Sequence, residues 1–194
     1  MNDLEREKKK GLSIWYLKDV RLRRKLIGRR YQTPGFGLAA QLFATMCKVI
    51  IKRLGLTEGE ALIKEAVESF GHERGKRIAQ KVTTQGKPLS FKNWLIYTDI
   101  DGSNFPVKPY IENNDLLAPV CGCSFYKAAS EWGLEEYAGI YCKYADYAIL
   151  EGYNPDIKLI LEQRGKTGKD HCLFRYIMKE TNKQQERSLR SGLR

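Results

Sequence analysis

Residues 118–155 read APVCGCSFYKAASEWGLEEYAGIYCKYADYAILEGYNP, and the rest of the chain is organised around them. Cys121 and Cys123 stand at the mouth of a helical region, Cys142 and Asp146 lie one turn apart within it, and Gly152-Tyr153-Asn154-Pro155 closes it. A short helix is predicted from near Ser124 and a longer one over residues 134–150. Their four-residue spacing puts Cys142 and Asp146 on one helix face. Tyr141, Tyr144 and Tyr147 flank that face, so a pocket wall is expected, where a carboxyl can acquire a pKa suited to general acid–base work. The alternative is an Asp146 that only hydrogen-bonds at a helix–sheet junction.

Toward the C-terminus, residues 157–163 (IKLILEQ) and 171–178 (HCLFRYIM) read as strands joined by a polar turn. Alternation in the second places Cys172, Phe174, Tyr176 and Met178 on one face, the expected core face. Asp170-His171-Cys172 forms a second chemically unusual cluster, and a reactive centre is expected where it meets the first.

Toward the N-terminus, residues 91–100 (FKNWLIYTDI) and 107–116 (VKPYIENNDL) are rich in aromatic and branched residues. Asp101-Gly102 between them predicts a β-hairpin. Asp99, Asp101 and Ser103 read as turn chemistry, because the glycine is misplaced for a calcium loop and the closing Glu is absent. Residues 36–54 carry Leu38, Leu42, Phe43, Met46, Val49, Ile50 and Leu54, the pattern of a buried helix ended by Gly55. Thr57 and Glu60 form a capping-box signature for a helix over residues 58–82. Within it Gly71 and Gly75 share a face, which predicts close approach of another element or a bend. His72 and Arg74 flank that face, and His72 reads as a surface or packing residue. The predicted class is α+β: an antiparallel sheet of about four strands packed against several helices, in the order ααββαββ.

The 194 residues carry a formal charge of +11 with 42% hydrophobic residues, which excludes global disorder. The charge is terminal. Residues 1–30 hold eleven Lys/Arg against four Asp/Glu and residues 183–194 four against one, so residues 31–182 are nearly neutral at +1. No nucleic-acid motif accompanies these ends, so solvated tails are favoured over a nucleic-acid partner. Residues 13–27 (SIWYLKDVRLRRKLI) can form a basic amphipathic helix with Trp15, Leu22 and Leu26 on one face. Such a helix most often docks on its own domain or a sister subunit, which leaves a homo-oligomer open. The expected organisation is a basic extension over residues 1–30, one α+β domain over 31–180, and a basic flexible tail over 181–194.

The run from Leu12 to Leu17 is too short for a signal peptide, and no stretch is expected to approach the ~20 apolar residues that span a bilayer. A cytoplasmic protein with five free thiols is expected. Cys123, just before a helix start, could have its thiolate stabilised by free amides, though a buried free cysteine is also a common small core residue. Cys121, Cys123, Cys142, Cys172 and His171 could supply zinc ligands, but the spacing is not the paired-knuckle arrangement, so no metal and no cofactor is assigned. Asn154 could bind substrate or merely cap a helix end before Pro155.

Cys123 followed by an aromatic, residues 141–159 (YCKYADYAILEGYNPDIKL), Gly168, and Cys172 ahead of LFRYIM together resemble the L-2-amino-thiazoline-4-carboxylic acid hydrolase family. Residues 70–79 (FGHERGKRIA) are similar to that family's glycine-bearing helix. One departure is Ser124, where many members carry Pro. The resemblance implies a fold like vinyl-reductase-type ligand-binding domains. It implies a hydrolase that adds water to the carbon between sulfur and nitrogen of a small cyclic amidine, a non-peptide C–N bond substrate, giving an N-carbamoyl-cysteine-type product. The expected roles are Cys123 as nucleophile, Asp146 moving protons, and Cys142 and Cys172 shaping the pocket around a small-molecule substrate. The alternative is a non-catalytic small-molecule-binding or sensing domain.

Overall fold

The computed structural model describes residues 35–113, 115–164 and 171–177, together with Lys18, Leu22 and Leu26. The chain falls into two compact units, Met1–Pro34 and Gly35–Arg194. In the first, Lys18, Leu22 and Leu26 are helical and exposed. The rest of the predicted amphipathic helix lies outside the described residues, as do Gly168, Asp170, Met178 and the basic tail.

The second unit is α+β. Helices α1 (Gly35–Leu54), α2 (Leu56–Thr84) and α3 (Phe91–Tyr97) precede strands β1 (Tyr110–Glu112) and β2 (Asp115–Val120). Helices α4 (Ser124–Ser130) and α5 (Glu135–Tyr153) follow, then β3 (Lys158–Glu162) and β4 (Cys172–Ile177). The four strands form one antiparallel sheet in the order β1-β2-β4-β3. Registers Val120↔Cys172 and Leu159↔Tyr176 set the core-face residues of β4 beside both neighbours.

The closest packing is between α2 and α5, and glycine makes it. A Cβ on Gly71 would lie 2.6 Å from the Ala148 Cβ. One on Gly75 would lie 2.7 Å from the Tyr153 nitrogen and closer still to the Ile149 carbonyl oxygen. From the other side, Gly152 meets the His72 backbone, with a Cβ placed 2.9 Å from its Cα. The predicted close approach is therefore an intimate helix crossing, and Ile63, Val67, Ile78, Val82, Ile149 and Tyr153 close the core around it. Polar groups pin its edges. His72 Nε2 and Glu151 Oε2 are 3.0 Å apart, Lys143 pairs with Glu60, and the Tyr144 hydroxyl donates to Glu60 at 2.7 Å.

Five expectations are corrected. Residues 91–97 form a helix, not a strand: the Ser90 hydroxyl caps it by accepting from the Asn93 N–H at 3.3 Å. Phe91, Trp94 and Tyr97 recur at helical spacing, and the first two pack at a tilt against Tyr176 and Tyr153 with ring centroids 4.8 and 5.3 Å apart. Asp101-Gly102 consequently makes no hairpin. Asp101 caps a 3-10 turn over Gly102–Asn104, accepting from the Ser103 N–H at 2.9 Å, and the hairpin is β1–β2, reversed beside Asn113 at φ 52°.

The capping box is also absent. Gly55, at φ 82°, is the N-cap of α2, so Thr57 lies inside the helix and Glu60 is free to pair with α5. Finally, α1 buries small residues, Gly37, Ala40, Ala44 and Cys47 with Gln41, while Leu38, Leu42, Met46 and Val49 are exposed. Small side chains let α1 lie close to α4, where Gln41 Nε2 donates to the Ala128 carbonyl at 3.0 Å. Contrary to expectation, α1 is long and apolar enough by length and composition to cross a membrane, with mean hydropathy 1.3, a test that core helices also pass.

Candidate active site

Helix α5 presents a different face to the sheet. Cys142 and Asp146, four residues apart, lie toward the side where β4 carries Cys172 and Tyr176, and all four are half-buried. Tyr147 ties the two layers together, its hydroxyl accepting from the Leu161 N–H at 3.1 Å. Cys123 enters from the third side as N-cap of α4, its Sγ accepting from the Tyr126 N–H at 3.3 Å. Cys172 Sγ accepts from the Arg164 N–H at 3.3 Å.

Two of the thiols, Cys123 and Cys142, feel the charge of their neighbours. Burial pushes the Cys142 thiol well above its ordinary range, and the negative charge of Asp146, Cys123 and Cys172 adds to the rise. Burial also raises Cys123, opposed by the amides of Tyr126 and Phe125 and by Arg164. The expected helix-start amides are therefore present at Cys123, but desolvation outweighs them and the thiol rests protonated at neutral pH.

Asp146 is held up at about 6 by burial, with Arg74 pulling the other way. No hydrogen bond to its carboxylate occurs among the described residues. The same burial, with Asp146 close by, takes the Tyr176 hydroxyl to about 12. A half-buried carboxylate at about 6 suits proton transfer near neutrality.

The cation acting on Asp146 is itself fixed. Arg74 Nε and Nη2 donate to both Asp99 oxygens at 2.6–3.0 Å, and Nη1 reaches the Tyr141 hydroxyl at 3.4 Å. Burial would lower the Arg74 pKa, but Asp99 and Tyr141 hold it above its usual value; burial would raise that of Asp99, but Arg74 holds it below. Arg74 and Asp99 are the members of this network that sequence reasoning missed, whereas Tyr141 is an expected pocket-wall residue and Tyr176 an expected core-face residue of its strand. Asp99 was read as turn chemistry and Arg74 only as a neighbour of the glycine face; the one available signal was Arg74's place directly before Gly75.

Cys123 lines an open cavity of about 590 Å³, whose walls include Tyr126, Lys127, Glu131 and Arg164. Cys121 is exposed. Asn154 lies at the far end of α5, where its Nδ2 donates to the Leu89 carbonyl at 2.7 Å and its Oδ1 accepts from the Asp156 N–H at 2.9 Å. Its side chain is thus taken up by the backbone. Among the described residues no group of three or more His, Cys, Asp or Glu is placed to hold a metal ion.

Comparison with curated proteins and with solved structures gives no match to either. A family model does match, over residues 35–176, which takes in the glycine helix, the Cys123 cap, all of α5 and most of β4. The chain belongs to the L-2-amino-thiazoline-4-carboxylic acid hydrolase family.

Proposed function

We propose that this protein opens a small cyclic amidine ring by hydrolysis, at the place where Cys123, Cys142, Cys172 and Asp146 gather. The observation that carries the reading is the Cys123 thiol on the wall of an open cavity, with Cys142 and Cys172 behind that wall within electrostatic reach of it and the Asp146 carboxyl, of pKa about 6, beside Cys142. Family membership supports a hydrolase of this kind.

Cys123 Sγ attacks the amidine carbon between ring sulfur and ring nitrogen, giving up its proton as it does so because the thiol rests protonated. Asp146, ionised above pH 6, takes that proton and returns it to the leaving atom of the ring. One ring bond to the amidine carbon then breaks: loss of the C–S bond leaves an isothiourea-type adduct on Cys123, and loss of the C–N bond leaves an imidodithiocarbonate-type adduct. Water then adds to the adduct carbon and Cys123 departs as the thiol. The net reaction is substrate plus one water. Loss of ring sulfur gives a carbamoylated amine and a free thiol; loss of ring nitrogen gives a thiocarbamate and a free amine. Cys142 and Cys172 shape the pocket, and Asn154 serves the fold.

The test is incubation with 2-amino-thiazoline-4-carboxylate, reading the gain of one water by mass spectrometry and the new thiol by disulfide-exchange titration. Turnover abolished by Cys123→Ala and Cys123→Ser is expected. Undiminished turnover in Cys123→Ser would make water the nucleophile, with Asp146 as its base. Tight retention of unchanged ligand without product would favour a binding module.

A further inference from the structure

Five cations among the described residues of this unit hold carboxylates. Arg74 pairs with Asp99, Arg175 with Asp115, Lys143 with Glu60, Arg77 with Glu73 and Lys64 with Glu68. Two that line the Cys123 cavity do not: neither Arg164 nor Lys127 forms an ion pair among the described residues. For exposed Lys127 that is ordinary; for half-buried Arg164 it is not, because a partly desolvated guanidinium normally finds a carboxylate. Arg164 is also held in place. Its guanidinium carbon sits 4.9 Å from the centroid of the Tyr126 ring, and its own N–H is bonded to Cys172 Sγ. Stacking on an aromatic face leaves the edge donors of the guanidinium open for a planar anion.

The two site thiols and this cation are mechanically linked. The Tyr126 N–H is bonded to Cys123 Sγ while the Tyr126 ring carries Arg164, and the Lys127 N–H bonds the Cys123 carbonyl at 2.9 Å. An anion on Arg164 therefore shares a cavity with the Cys123 thiol. Glu131 on the same wall repels an anion, which directs it toward Arg164.

We propose that Arg164, stacked on Tyr126 and assisted by Lys127, is the anion subsite of the Cys123 cavity and selects ring substrates that carry a carboxylate. This rests on the cavity being the substrate site, as proposed above. Arg164 is a specificity residue in this scheme and takes no part in proton transfer.

The test compares a carboxylate with its neutral isostere, thiazole-4-carboxylate against thiazole-4-carboxamide, by calorimetric titration of the full chain. Wild-type protein should prefer the carboxylate, and Arg164→Gln should lose about 10- to 100-fold in carboxylate affinity while carboxamide binding stays unchanged. Arg164→Lys should recover part of the loss. Lys127→Gln, an exposed change that spares the fold, should lose a few-fold, and less at high salt. On 2-amino-thiazoline-4-carboxylate, Arg164→Gln should raise KM far more than it lowers kcat. Equal wild-type affinity for acid and amide, or an acid-to-amide ratio unmoved in Arg164→Gln, overturns the subsite. Ring opening with an unmoved ratio rejects the subsite and keeps the hydrolase; a ratio that falls in a protein that never opens the ring does the reverse.

Discussion

Helix α5 works on two sides, and the two are built on opposite terms. Toward α2 it is closed: Gly71, Gly75 and Gly152 bring backbones together until no added carbon fits, and Ala145, Ala148 and Ile149 are buried. Toward the sheet it is open: Cys142, Asp146, Cys172 and Tyr176 are only half-buried, and the carboxylate there has no hydrogen-bond partner among the described residues. Close packing fixes the helix on one side, so polar groups can be held without hydrogen-bonded support on the other. The dense seam is a device for positioning the loose one.

The comparison breaks most readily at the seam. Gly75→Ala should cost about 3 kcal/mol or more in urea unfolding, because the new methyl meets the Ile149 carbonyl and the Tyr153 nitrogen; the ~1 kcal/mol gained in helix propensity does not offset it. Gly139, on the same helix with nothing within 4 Å of an added Cβ, is the control: Gly139→Ala should stabilise by up to about 1 kcal/mol. A neutral Gly75→Ala would show that the seam is not closed.

On the open side the expected change has the other sign. The Asp146 carboxyl binds its proton more tightly folded, at about 6, than unfolded, near 3.8. The native state therefore loses stability as pH rises from about 4 to about 6, and the cost is fully present above that window. Asp146→Asn should stabilise the protein by about 1–3 kcal/mol at pH 8 and by almost nothing at pH 4, while abolishing the acidic limb of any pH–rate profile. Equal effects at both pH values would mean that Asp146 is not desolvated.

The smallest effect is expected at Ser124, the first residue of α4. Proline is favoured at that position, but Ser124→Pro deletes the hydroxyl that donates to Asn104 Oδ1 at 2.8 Å. A change within about 1 kcal/mol is expected, read as a shift of a few degrees in Tm.

Much of this was legible in the sequence where the signal is local. The glycines at 71 and 75 announced a close approach, the Cys142/Asp146 spacing announced a shared face, and β3 and β4 lie within a residue or two of where alternation put them. The failures have physical causes too. Phe91, Trp94 and Tyr97 satisfy aromatic strand preference and helical spacing at once, and the choice fell to partners 59 and 85 residues away, Tyr153 and Tyr176. Helix α1 looked like a core helix by its large residues, but its small ones face inward, because close helix approach favours absent side chains over bulky ones.

The sequence by itself determined the α+β class, the two long helices of the seam, and that Cys142 and Asp146 share one face of α5, since these follow from periodicity and from the steric minimum that only glycine provides. Tertiary structure alone decided that Arg74 reaches Asp99 and Tyr141, that burial outweighs the helix amides at Cys123, and that Asp146 sits at about 6. Desolvation and long-range pairing depend on what surrounds a group in space, and neighbours along the chain do not record it.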